Sequence, residues 1–338
     1  TRPGPLINKV RHPRVSSKLD TSNCHWHLTR GCLMNSPMAH SSLGPALSGP
    51  MWELEDPSSG PLAVYGPVAD GSPNERPLLV IHSVNAAASG AEMRPIYDEM
   101  GKERPTYGFD LPGFGRSYRG PGPYSPRVMT DALLAVATEV QRRHDGQPID
   151  AIALSTSCEF LARAATEHSD LFRTLALISP TGFDRRGRRD GPPGSTRGSS
   201  AAHAFLSMPI LSDLMFGLLT RPSVVRYFLK RAFGSETIDE DLWKYCVQST
   251  NAPGAKHAPL YFLSGFLFSG DISPIYEALT QPVWAVHGVR GDFVDYTGLS
   301  ALEQKPNWTV TELQTGALPH FEIEDDFMTR YREFLAAH

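Results

Sequence analysis

From Met51 to the C-terminus, short apolar runs alternate with segments of helical period, and that alternation admits few folds. Met51–Glu55 and Pro61–Val68 read as two strands joined by a turn at Pro57-Ser58-Ser59-Gly60. Pro77–His82, Thr106–Asp110, Ile149–Leu154, Leu175–Ile178, Pro282–His287 and Trp308–Leu313 read as six more. The run Pro77–His82 is apolar at consecutive positions, as a strand covered on both faces requires. Helical patterns fill the intervals: Gly90–Met100, a helix opened by Ser125-Pro126, Ser157–His168, and Glu324–Ala337. The second keeps Met129, Leu133, Val136 and Val140 on one face, with proline at its first turn. Repeated β-α units predict an α/β fold, a mostly parallel sheet flanked by helices. Ligands of such sheets bind beyond the carboxyl ends of the strands, so chemistry is sought in the loops that follow strands.

Composition narrows the partners. The chain has 338 residues, 41% hydrophobic and 20% charged, enough apolar material for a large core. A net charge of −4 argues against nucleic acid, and no apolar run is long enough for a membrane span. Four cysteines (Cys24, Cys32, Cys158 and Cys246) are too few for a disulfide framework and point to a reduced, cytoplasmic setting. Residues 1–50 stand apart. They hold six Lys/Arg, one acid and six prolines without periodicity, which predicts a flexible N-terminal extension. Cys24-His25-Trp26-His27 has metal-ligand residue types but no second pair, so no metal is expected.

Three strand-end loops form a consistent set. After Ile149–Leu154 comes Ser155, on a sharp strand-to-helix turn with small residues two before and two after it, Ala153 and Ser157. Ser155 is the candidate nucleophile. After Pro282–His287 comes Gly288-Val289-Arg290-Gly291-Asp292, where Asp292, or Asp295 three residues on, can orient a histidine. After Trp308–Leu313 comes Gly316-Ala317-Leu318-Pro319-His320, where His320 is the candidate general base. Serine, acid and histidine follow one another in chain order, each in its own strand-end loop.

Over Met51–His338 the chain resembles the α/β-hydrolase superfamily. The resemblance rests on His82-Ser83 after an early strand, the loop Asp110-Leu111-Pro112-Gly113-Phe114-Gly115-Arg116-Ser117, the Ser155 turn, Gly288 to Asp292, and His320. Three departures stand out. The turn lacks both usual glycines, Ser83 replaces a glycine after His82, and Asp292 lies one residue later than usual. The resemblance implies an oxyanion hole from the backbone N–H groups of Val84 and Thr156, with Asn85 as a side-chain contact to substrate. It places residues 184–275 as a helical cap, inserted after the fourth parallel strand between core segments 51–183 and 276–338. Within that cap Phe262 and Phe266, four apart, are expected to line the acyl pocket. The implied activity is a serine hydrolase of the carboxylesterase kind, cleaving short-to-medium acyl esters through an acyl-enzyme without a cofactor. Its partner is a small-molecule ester, and a homodimer is compatible with the chain. The alternatives are a C–C bond hydrolase of diketone-like ring-cleavage products and a non-catalytic binding protein on the same fold.

Overall fold

Strands that are apolar on both faces must be covered on both faces, and this requirement organises the molecule. The computed structural model describes residue 1 and residues 43–68, 75–184, 188–290 and 295–338. In chain order the strands are β1 (Met51–Asp56), β2 (Gly60–Tyr65), β3 (Leu78–Ile81), β4 (Thr106–Phe109), β5 (Ile149–Leu154), β6 (Phe172–Ile178), β7 (Val283–Gly288) and β8 (Trp308–Leu313). They form one sheet in the order β1-β2-β4-β3-β5-β6-β7-β8. β1 and β2 pair antiparallel from Met51↔Tyr65 to Asp56↔Gly60, as the turn residues predict, and β2 runs antiparallel to β4. The pairings from β4 through β3, β5, β6 and β7 to β8 are all parallel.

The helices of the alternation are α1 (Arg94–Met100), α2 (Pro126–Arg143) and α3 (Ser157–Glu167). Between β6 and β7 come α4 (Ser200–Leu206), α5 (Pro209–Leu219), α6 (Pro222–Phe233), α7 (Glu240–Thr250), α8 (His257–Leu263) and α9 (Ile272–Ala278). α10 (Pro319–Glu322) and α11 (Glu324–Ala336) close the chain. α2 starts where its sequence says it should, with the Ser125 hydroxyl accepting the Val128 N–H and Pro126 in the first turn. Alternate residues of the central strands feed two cores. Leu79, Ile81, Ala151, Ala153, Leu175 and Leu177 pack with α2 and α3. Leu78, Val80, Ile152, Leu154, Ala176 and Ile178 pack with α1 and α11. The period of two along each strand separates the two sets.

A buried carboxylate interrupts the apolar run of β5. Asp150 in β5 is satisfied by Arg104 at 2.6 Å, Arg76 at 3.3 Å and the Thr174 hydroxyl at 2.6 Å, so its charge is compensated. Two further buried pairs attach the β6–β7 insertion to α3. Glu159 takes Arg189 at 2.7 Å, the Ser269 N–H at 2.8 Å and the Thr181 hydroxyl at 2.5 Å, while Arg163 holds Asp271 at 2.6 Å. Both ends of the insertion are thereby fixed to one helix. α9 packs on α3 and contributes Ile272 and Tyr276 to the core.

The N-terminal extension ends earlier than its composition suggests. Leu43, Ala46 and Leu47 are buried in the core beside Tyr65 and Met93, and the Tyr245 hydroxyl donates to the Gly44 carbonyl. Apolar residues within a Ser/Pro-rich stretch find a groove, and local composition does not show that. The rest of the extension, with its Cys24-His25 pair, lies outside the described residues.

Candidate active site

Ser155 sits immediately after the six buried residues of β5 with φ at 58°, in the left-handed region. A non-glycine residue there costs about 1–3 kcal/mol and persists only where its surroundings hold it. Its N–H donates to the Ile178 carbonyl at the end of β6, and its carbonyl accepts the Cys158 N–H as α3 begins. The neighbours are small and already engaged. The Ser157 hydroxyl is buried and donates to the His82 carbonyl, and the Cys158 thiol reaches the Ala153 carbonyl at 3.2 Å. Ser157 therefore packs the turn, while the half-buried Ser155 is left at its apex.

Neither the Val84 N–H nor the Thr156 N–H has a hydrogen-bond partner among the described residues, although both residues are nearly fully buried. Such N–H groups beside a serine are what an oxyanion hole consists of. The loop carrying Val84 is tied down on each side. The Leu111 N–H donates to His82 Nε2 at 2.9 Å, so the ring proton is on Nδ1, which donates to the Ser83 carbonyl at 2.7 Å. Burial lowers the His82 pKa and keeps the ring neutral. The Ser83 N–H donates to Glu92 Oε2 at 2.9 Å.

Asn85 is corrected by this geometry. Its Nδ2 donates to Glu92 Oε1 and the Ser83 hydroxyl, and its Oδ1 accepts the Ala87 N–H. Both amide hydrogens and one lone pair of Oδ1 are used within this loop and on Glu92.

His320 departs further from its expected role. It is fully buried on α10, its Nε2 donates to the Glu92 carbonyl at 2.8 Å, and its Nδ1 has no partner among the described residues. Burial lowers its pKa to about 4. A ring nitrogen facing a carbonyl must carry the proton, so this ring is not placed to accept one from Ser155. Asp292 lies outside the described residues. Asp295 accepts the Thr297 N–H at 3.3 Å and also bonds the Thr297 hydroxyl, capping a short turn. His287, at the end of β7, is stacked on Tyr296 with ring centroids 4.1 Å apart.

Phe262 and Phe266 do not share a helical face. α8 stops at Leu263, and Ser264-Gly265, with Gly265 at φ 86°, turns the chain before Phe266. Phe266 packs on Tyr261, His203 and Gly198 within the insertion, and Phe262 leans on Phe268.

No family model and no curated protein matches the sequence. Solved structures do. A probable hydrolytic enzyme from Pseudomonas aeruginosa PAO1 aligns at TM-score 0.66 and 16% identity over 85% of this chain and 94% of its own. A 2-hydroxy-6-oxo-6-phenylhexa-2,4-dienoate hydrolase from Rhodococcus sp. strain RHA1 aligns at 0.64 and 17% over 85% and 99%. A thermophilic esterase from Thermogutta terrifontis aligns at 0.60 and 16% over 86% and 99%. The chain has the α/β-hydrolase fold.

In α/β-hydrolase terms the Asp110–Ser117 loop is scaffold. Asp110 accepts the Tyr65 hydroxyl and the N–H groups of Gly90 and Arg116, and a Cβ on Gly115 would lie 1.9 Å from its carboxyl carbon. That contact explains the second glycine of the motif. Sequence reading missed Glu92, whose buried carboxylate holds Ser83 and Asn85 and whose backbone carbonyl accepts from His320. The available signal was one acid inside the apolar stretch Ala86–Met93. Among the described residues no group of three or more His, Cys, Asp or Glu side chains is placed to hold a metal ion.

Proposed function

We propose that the chain is a serine hydrolase of short-to-medium acyl carboxylic esters, working through an acyl-enzyme on Ser155. The observation that carries the reading is Ser155 held at φ 58° on the β5–α3 turn, together with the buried Val84 and Thr156 N–H groups that have no partner among the described residues. Ser155 Oγ attacks the acyl carbonyl. The oxyanion accepts the N–H groups of Thr156 and Val84, each worth about 3–4 kcal/mol in the transition state. The C–O bond breaks, the alcohol leaves, and water then cleaves the acyl-serine ester. The Ser155 proton must pass to a base and on to the leaving alkoxide. His320 with Asp292 takes that role only when its Nε2 leaves the Glu92 carbonyl, so turnover is expected to be slow. The structural neighbours include an esterase and a 2-hydroxy-6-oxo-6-phenylhexa-2,4-dienoate hydrolase, which sets the two substrate classes to compare.

The His320 geometry favours a second reading, an acyl-compound binding protein on a hydrolase fold. Fluorophosphonate labelling followed by peptide mass spectrometry, with p-nitrophenyl ester and dienoic diketone turnover in parallel, separates the two. Ser155-dependent labelling with release of product supports the hydrolase. Absence of both, with saturable binding of an acyl ligand, supports the binding protein.

A further inference from the structure

The peptide that presents the Val84 N–H is held from three directions. His82 Nδ1 donates to the Ser83 carbonyl at 2.7 Å, and in a trans peptide this turns the Val84 N–H to the opposite side. Glu92 receives both flanking residues, Ser83 through its N–H at 2.9 Å and Asn85 through Nδ2 at 2.7 Å. Glu92 is 5% exposed and has no salt-bridge partner among the described residues, so loop dipoles alone satisfy its carboxylate. Its backbone carbonyl is in turn anchored by His320 across 228 positions of sequence, from the last loop of the sheet. These bonds form one line from α10 through Glu92 to the residues on either side of Val84.

We propose that Glu92, seated by the hydrogen bond that His320 donates to its carbonyl, is the positioning residue of the Val84 N–H. The inference rests on the reading of Val84 as an oxyanion donor. A glutamine at position 92 presents an amide NH₂ to either the Ser83 N–H or the Asn85 amide, donor against donor, at unchanged volume. A glutamine at position 320 places its Nε2–H near the ring Nε2 and can still donate, but it cannot act as a base.

The test combines ester kinetics with amide hydrogen exchange on the intact protein. Glu92→Gln is expected to lower kcat at least tenfold with KM within threefold, because the oxyanion contact counts only in the transition state. The Ser83 amide is expected to exchange at least tenfold faster in His320→Ala than in His320→Gln, which keeps the donor to the Glu92 carbonyl. The Ser83 amide is expected to exchange at least tenfold faster in Glu92→Gln and in Asn85→Ala, with β5 amides unchanged. Ser83 exchange at the wild-type rate in both variants overturns the clamp. Equal Ser83 exchange in His320→Gln and His320→Ala overturns the seating role of His320. Should the wild-type protein turn over no ester, the hydrolase reading fails, and the exchange rates still decide whether Glu92 holds the loop.

Discussion

Acid titration distinguishes a buried donor histidine from a triad histidine by sign. His320 has Nε2–H on a carbonyl and no partner at Nδ1 among the described residues, so a second proton would find no acceptor among them. Burial accordingly lowers its pKa from 6.5 to about 4. As pH falls, the unfolded chain takes up this proton first. The His320 contribution to stability is therefore complete above pH 6.5 and is lost as pH falls towards 4. At pH 4.5 the linkage amounts to about 2.5 kcal/mol of destabilisation. His320→Gln keeps a donor and does not titrate, and other acid-sensitive groups such as His82 cancel in the comparison. Urea unfolding of wild type and His320→Gln at pH 7.5 and pH 4.5 measures the double difference. Wild type should lose about 2–3 kcal/mol more than the variant on acidification. A histidine paired with a carboxylate such as Asp292 has a raised pKa, so wild type would then gain on the variant as the pH drops. That sign, or a difference near zero, refutes the argument.

Ser157→Ala removes one hydrogen bond to the His82 carbonyl, so it should cost about 1 kcal/mol of stability and leave fluorophosphonate labelling within tenfold, whereas Ser155→Ala abolishes labelling. Arg189→Ala leaves the Glu159 carboxylate buried without its cation and should cost about 3–5 kcal/mol in urea unfolding, and a loss below about 1 kcal/mol would show that the pair does not anchor the insertion. Across p-nitrophenyl esters from about C2 to C16, kcat/KM should peak near C4 to C8, each buried CH₂ adding about 0.8 kcal/mol until the pocket ends, and a steady rise to the longest chain contradicts a bounded pocket.

The sheet was legible because its strands are buried on both faces, so apolar runs such as Leu78–Ile81 and Val283–Val286 marked themselves without any partner being known. The turn at Ser155 and the Asp110–Ser117 loop were legible because their geometry demands particular residues within eight positions. Pairings across long separations were not. Glu159 meets Arg189 and Ser269, and Glu92 meets His320, only because the fold brings distant segments together. Phe262 and Phe266 were misread for a nearer reason. Four-residue spacing means a shared face only while the helix continues, and the Ser264-Gly265 stop stood between them in plain sight. His320 shows the limit of chain order as a signal. Order places a loop near a site, but the bonds within the loop decide which residue faces it.

Those bonds explain why His320 is turned away, and they identify the position that faces the strand ends. Ser179, which follows β6 at φ 47°, donates its hydroxyl to the Ala317 carbonyl at 2.9 Å. The Ala317 N–H donates to the Ala232 carbonyl at the end of α6 at 2.7 Å. Gly316 is wedged against Phe233, where a Cβ would lie 2.2 Å from the carbonyl oxygen, and its N–H is held by Glu322 Oε1 at 2.6 Å. The loop is thus fixed at residues 316 and 317 against β6, the strand whose Ile178 carbonyl receives the Ser155 N–H. Pro319 then starts α10 and carries His320 back to Glu92. The loop residue next to the β6 end is Ala317, half-buried and without a titratable group. Ala317→His supplies an imidazole there while leaving His320 on Glu92. If the missing element is a base and not the nucleophile or the oxyanion donors, this variant should raise the ester turnover assigned to Ser155 at least tenfold. The gain should require Ser155 and follow a single ionisation near pH 6–7, the ordinary histidine range. A folded Ala317→His protein with unchanged turnover would mean that Ser155 is not poised for attack, and the binding-protein reading would then stand.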